Sequence, residues 1–80
     1  MKVYVLIQTQ VGRTGEVTTE IRKHAGVRHA DAVTGSWDVV IEVDSDEIKD
    51  LNDLGRYVIN DLQQIDGITR TVTCAVVRSH

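Results

Sequence analysis

A doubled pattern constrains this chain more than any other feature. Each half reads as a strand, a helix, and then a glycine followed by a β-branched residue opening another strand, at Gly26-Val27 and again at Gly67-Ile68. Glycine there supplies the left-handed conformation that closes a helix, and the β-branched residue after it favours extended backbone. The eighty residues are too few for a second domain, so the two halves must share one core. The type of apolar residue agrees: thirteen Val and seven Ile stand against one Trp, two Tyr and no Phe, which predicts a sheet-dominated fold.

The remaining composition works by exclusion. Apolar residues form 41% of the chain, charged residues 26%, and proline is absent, which excludes a disordered or collagen-like polymer. Apolar runs such as Val39-Val40-Ile41 are too short for a membrane span or a signal-peptide core. A net charge of −3 without a basic stripe argues against direct DNA binding. The single cysteine, Cys74, excludes an internal disulfide and a Cys-pair zinc site, and points to a reducing cytoplasm. A core this small supplies only ~3–5 kcal/mol of net stability, so association into a multimer is expected.

Alternation predicts a first strand over Lys2–Thr9 with apolar groups on both faces. A helix over Glu16–His24 follows, capped by Thr14, with Val17, Ile21 and Ala25 on its inner stripe. Strands over Val27–Thr34 and Trp37–Val43 flank Gly35-Ser36, a two-residue type II′ hairpin signal that sets Val33 opposite Asp38. Ala30, Ala32, Val39, Ile41 and Val43 then face the helices, while His29, Asp31, Val33, Asp38, Val40 and Glu42 face away. A second helix is predicted from Asp44, with a capping box to Glu47, to Gln63, its stripe being Ile48, Leu51, Val58, Leu62 and Ile65. The last strand spans Ile68–Arg78, with Val72, Cys74 and Val76 on one face and Thr71 and Thr73 on the other.

The fold class is therefore α+β: a ferredoxin-like βαββαβ plan with a four-stranded antiparallel sheet and two helices on one face. The other sheet face lacks cover within one chain, so face-to-face pairing of two sheets, a dimeric α/β-barrel association, is expected.

Signals for catalysis are thin. There is no phosphate loop, dinucleotide fingerprint or nucleophile elbow. Gly12-Arg13-Thr14-Gly15 reads as an ordinary strand-to-helix turn. His29 and Asp31, joined by Asp38 or Glu42, fall short of a metal-binding set and read better as a solvated or interface face. His24 reads as a helix-end residue, His80 as a terminal one, and Cys74 as a small buried hydrophobe. No catalytic, metal or cofactor role is assigned. The informative segment is Val33-Thr34-Gly35-Ser36-Trp37-Asp38. A hairpin accounts for Gly-Ser, but aspartate is disfavoured in strands, and Asp38 beside an indole asks for a further reason.

Gly26-Val27, the Thr34-Gly35-x-aromatic-Asp38 hairpin, the Asp-rich entry to the second helix, and Gly67-Ile68 followed by Thr69, Thr71 and Thr73 together carry a resemblance over the whole chain. It resembles the C-terminal effector-binding (RAM) domain of the Lrp/AsnC, or feast/famine, transcriptional regulators. The resemblance implies a non-enzymatic domain that binds a small-molecule effector, an amino acid, and assembles as a homodimer and then as a ring of dimers. It places the effector at the contact between dimers, on Thr34, Gly35, Ser36, Trp37 and Asp38, with Thr71 and Thr73 beside them. Trp37 departs from the family's usual Tyr or Phe. These eighty residues hold no helix-turn-helix segment, and the expectation is therefore a stand-alone member of the family, with a full-length homologue as a further partner. Two other readings share the fold: a dimeric mono-oxygenase or haem-degrading enzyme with a pocket between sheet and helices, and an ACT-type amino-acid domain that uses the Gly12–Gly15 turn.

Overall fold

A computed structural model of the chain describes residues 1–78, so His80 lies outside the described residues. The elements are β1 (Lys2–Thr9), α1 (Thr14–Ile21), β2 (Val27–Ala32), β3 (Val39–Asp44), α2 (Leu51–Tyr57) continued by a π-helical turn (Val58–Leu62), and β4 (Ile68–Ala75). The sheet order is β2-β3-β1-β4, every neighbouring pair antiparallel. This is the expected βαββαβ plan.

Strand alternation decides which face is covered. Val3, Val5 and Ile7 of β1 and Val39, Ile41 and Val43 of β3 are fully buried, in one cluster with Val17, Ile21, Leu54, Val58 and Leu62 of the helical segments. Both helices therefore lie on the same side. Burying each such side chain contributes ~1.5–3 kcal/mol gross, most of it offset by chain entropy. On the opposite face, Tyr4, Leu6, Val40 and Val72 remain partly exposed.

Gly67 shows why the end of the second helix needs glycine. Its φ is +99°, and a Cβ there would meet Cγ2 of Val17 at 2.9 Å. Both the backbone conformation and the close approach to α1 exclude a side chain.

Several local expectations are corrected. The α1 helix starts at Thr14, not Glu16, and Thr14 is no cap: its hydroxyl pairs with Thr9 Oγ1 at 2.9 Å. The helix ends at Ile21, which leaves Ala25 exposed in the following turn. The second helix does not open at Asp44. That residue is the last of β3, paired with Lys2, and the Met1 ammonium donates to the carbonyls of Ser45 and Ile48, both at 3.0 Å. These tertiary contacts hold the next residues in a turn. The cap is Asp50, whose Oδ1 accepts from the Asp53 amide at 2.9 Å, while Asp53 Oδ2 accepts from the Lys49 amide at 3.0 Å. With the start moved, Leu51 is 72% exposed and Leu54 takes the buried position. Ala32, on an edge strand, is exposed, as is Cys74, which lies on the open face opposite Tyr4. The β4 strand stops at Ala75 rather than Arg78.

Candidate functional site

The hairpin keeps its predicted register but not its predicted turn. Val33 stands opposite Asp38, its amide donating to the Asp38 carbonyl at 2.9 Å. The strands themselves end at Ala32 and Val39, so residues 33–38 form a wider loop, with Gly35 at φ +112°. The reason is that Asp38 turns to β1 instead of closing a tight turn. Its amide donates to the Ile7 carbonyl at 2.9 Å, and its Oδ2 accepts from the Thr9 amide at 2.8 Å. The Thr9 hydroxyl lies 3.4 Å from the same oxygen and 2.9 Å from the hydroxyl of Thr14. One carboxylate thus ties the hairpin to the end of β1, and Thr9 relays the link to α1.

This arrangement explains an aspartate in a strand position. A bulge at Gln8/Thr9 disturbs the β1–β4 ladder there, and the Asp38 carboxylate supplies an acceptor to the Thr9 amide. Among the described residues only Oδ2 of Asp38 has a hydrogen-bond partner. The amides of Thr34, Gly35, Ser36 and Trp37 likewise find no protein acceptor among the described residues. Donors and an acceptor therefore share one exposed loop.

Two residues that sequence reasoning passed over complete the surroundings. Gln8 donates through Nε2 to the Ser36 carbonyl at 3.0 Å. Arg70, the partner of Gln8 across the β1–β4 ladder, holds its guanidinium carbon 5.2 Å from the centre of the Trp37 ring. The available signal was alternation in the last strand: Arg70 shares the open face with Val72 and Cys74.

Thr71 and Thr73 sit on the other face of β4, opposite Ile7 and Val5 and half-buried towards the helices. Thr71 Oγ1 accepts from Gln63 Nε2 at 3.3 Å. A shallow recess of about 270 Å³ at this edge is lined by Gln63, Ile68, Thr69, Arg70 and Thr71. The five hairpin residues are thus contiguous, Thr71 is reached through Arg70, and Thr73 lies farther along the strand.

A larger groove, about 500 Å³, lies elsewhere, between α1 and the π-helical turn, where Glu16, Glu20, Asp61 and Asp66 make it acidic. Its cation, Arg13, is already paired with Asp66 at 3.1 Å and Glu16 at 3.0 Å, contacts that raise its pKa further. At the far end of the open face, Tyr4 donates to Glu42 Oε1 at 3.3 Å and Lys2 lies 3.6 Å from the same carboxylate. The neighbouring Tyr4, whose ring centre lies 5.5 Å from Lys2 Nζ, and then the Glu42 charge raise the Lys2 pKa. Among the described residues no three His, Cys, Asp or Glu side chains are grouped to hold a metal, and no helix is long and apolar enough to cross a membrane.

Comparison with known proteins gives a consistent answer. The family model described as the Lrp/AsnC ligand binding domain matches residues 2–80. Two uncharacterized HTH-type transcriptional regulators of Pyrococcus horikoshii are 29% identical over 70 residues and 34% identical over 58, covering 88% and 72% of this chain. The chain spans only about two fifths of those relatives, 42% and 37% of their lengths. Among solved structures, a Thermus thermophilus protein superposes with a TM-score of 0.86 at 26% identity, covering 99% of this chain and 95% of its own. A Neisseria meningitidis transcriptional regulator, solved as its L-Met complex, has a TM-score of 0.82 over 96% of this chain and 49% of its own. At 18% identity it shows a shared fold.

Proposed function

The chain belongs to the Lrp/AsnC ligand-binding domain family, and from that premise we propose that it binds a free amino acid beside the 34–38 hairpin, at a contact between copies of itself. The observation that carries this reading is the combination in the hairpin of four amides and one carboxylate oxygen that have no partner among the described residues. An α-amino acid needs donors for its carboxylate and an acceptor for its ammonium, and the hairpin offers both within five residues. The L-Met complex of the Neisseria regulator supports the ligand class. Thr71 joins from the neighbouring recess, with Thr73 beyond it.

The domain acts without catalysing a reaction, through a transcriptional regulator with its own DNA-binding domain. The enzyme reading requires a pocket between sheet and helices. That layer is filled instead by Val3, Val5, Ile7, Ile21, Ile41 and Leu62, all fully buried. The ACT-type reading depends on the first strand-to-helix turn. That turn, held by the Arg13 amide donating to the Gln10 carbonyl at 3.0 Å and the Gln10 amide to the Gly67 carbonyl at 2.8 Å, contains no carboxylate to receive an ammonium. Assembly follows from the open face, where Tyr4, Leu6, Val40 and Val72 gain burial if two sheets stack. Sedimentation of the wild type and of Leu6→Asp checks it. The account expects at least a dimer at micromolar concentration for the first and a monomer for the second. A monomeric wild type contradicts it.

Calorimetric titration of the twenty amino acids tests the ligand. Asp38→Asn keeps an acceptor for the Thr9 amide while removing the charge that an ammonium needs. The expected result is wild-type folding with affinity lowered by roughly tenfold to a hundredfold. Unchanged affinity moves the ammonium site away from Asp38.

A further inference from the structure

We infer that Arg70 is the group that binds the α-carboxylate of the ligand, and that Trp37 holds it in place for that task. This assignment rests on the amino-acid reading above and adds a named residue to it.

Three observations converge on Arg70. First, its guanidinium lies over the Trp37 ring, 5.2 Å from the centroid. An indole face attracts the cation without consuming its N–H donors, so the group is positioned while its hydrogen bonds remain available. Second, Arg70 has no carboxylate within ion-pair distance among the described residues. Arg13 and Arg56, by contrast, are both paired, with Asp66 and Glu16 and with Asp53. Third, Arg70 joins the two parts of the candidate site. It touches the hairpin through Trp37 and lines the recess that also contains Thr71.

The partition of charge then follows. Asp38 is the acidic group of the hairpin and suits an ammonium, while Arg70 suits a carboxylate, which guanidinium recognises with two parallel N–H donors. Gln8 links the two parts: it stands opposite Arg70 in the ladder and donates to the Ser36 carbonyl. A zwitterion laid across the hairpin meets one charge at each end. Recognition through the α-carboxylate is independent of the ligand's side chain, whose identity must be read by other groups.

The test pairs each L-amino acid that binds the wild type with its own α-carboxamide, which keeps the ammonium and side chain but loses the negative charge. Calorimetry is run on the full chain and on Arg70→Gln and Arg70→Lys. Trp37 is the only tryptophan, so its emission reports on the site independently. The acid is expected to bind the wild type roughly tenfold to a hundredfold more tightly than the amide. In Arg70→Gln that ratio falls towards one, and Arg70→Lys retains part of it. A role as a mere cover for Trp37 predicts altered emission and a lower melting temperature in Arg70→Gln with the acid-to-amide ratio intact, and that result overturns the assignment. Equal binding of acid and amide by the wild type also overturns it while leaving the amino-acid reading in place. Tight binding of glutamate and aspartate but not of glutamine and asparagine assigns Arg70 to a side-chain carboxylate instead, against the α-carboxylate. Binding of no amino acid at all overturns the functional reading itself.

Discussion

Replacing Asp38 by alanine removes the acceptor of the Thr9 amide, a 2.8 Å bond, and with it the tie between the hairpin and the end of β1. A hydrogen bond to a charged group contributes ~1.5–3 kcal/mol to stability, and the exposure of half-buried Asp38 reduces that to about 1–2 kcal/mol. For a domain of this size each kcal/mol corresponds to about 4–8 °C, so the melting temperature should fall by roughly 4–16 °C. Asp38→Asn keeps an oxygen facing the Thr9 amide and should lose less than about half of that. Thermal unfolding followed by circular dichroism, at one fixed protein concentration because association shifts the midpoint, measures both. The comparison separates two roles held by one side chain. Alanine harms stability and ligand binding together, whereas asparagine harms chiefly binding. An alanine variant that melts within about 1 °C of the wild type would show that the Thr9 contact contributes nothing. An asparagine variant as unstable as the alanine one would show that charge, not the acceptor, holds the hairpin.

Gly67→Ala forces a Cβ to within 2.9 Å of Val17 at a φ of +99°, and urea unfolding should show a loss of about 2–4 kcal/mol; a loss below about 0.5 kcal/mol contradicts the packing described. Tyr57 buries a hydroxyl that has no partner among the described residues, and burial pushes its pKa up to about 12. Tyr57→Phe should therefore leave stability unchanged or raise it by about 1 kcal/mol, and a marked loss would reveal a partner for that hydroxyl. The Lys49 amide, and secondarily Arg56, hold the Asp53 carboxyl below its ordinary value of 3.8. Its contribution to stability is thus present above pH 4 and lost as the pH falls through the lower folded-state value. Asp53→Asn should flatten that part of the acid unfolding profile, and an unchanged profile would remove Asp53 from the account.

Much of the fold was legible because it is written in local chemistry. Strand alternation in Lys2–Thr9 matched β1 residue for residue, and both helix-closing glycines, Gly26 and Gly67, adopt the positive φ that their positions implied. The hairpin register also followed from Gly35-Ser36, since Val33 does face Asp38. What escaped sequence reasoning depends on contacts distant along the chain. The N-terminal ammonium occupies the carbonyls of Ser45 and Ile48 and delays the second helix to Asp50, which no local pattern near Asp44 reveals. The π-helical turn, where the Gln63 amide donates to the Val58 carbonyl at 2.8 Å, shifts the inner stripe in a way that a 3.6-residue period cannot anticipate. Threonine at position 14 has the chemistry of a helix cap, but its hydroxyl is taken by Thr9.

The candidate site divides in the same manner. Thr34 to Asp38 was recognisable as one segment, but the second role of Asp38, holding the Thr9 amide, depends on a strand far away in sequence. Arg70 was invisible as a site residue until the β1–β4 register set it over Trp37. A charged residue on the last strand looks like any solvated side chain unless the hairpin beside it is known. Thr71 and Thr73, which looked like a pair, occupy different surroundings: Thr71 meets Gln63 and the edge recess, whereas Thr73 faces Val5.

Backbone amide NMR of the isotopically labelled protein, titrated with each of the twenty amino acids, tests the central claim most directly because it reports both whether a ligand binds and where. The account predicts saturable shifts for at least one amino acid, concentrated at Thr34 to Asp38 and at Arg70 and Thr71. Shifts confined to the acidic groove between α1 and the π-helical turn, or no saturable shift with any amino acid, would contradict it.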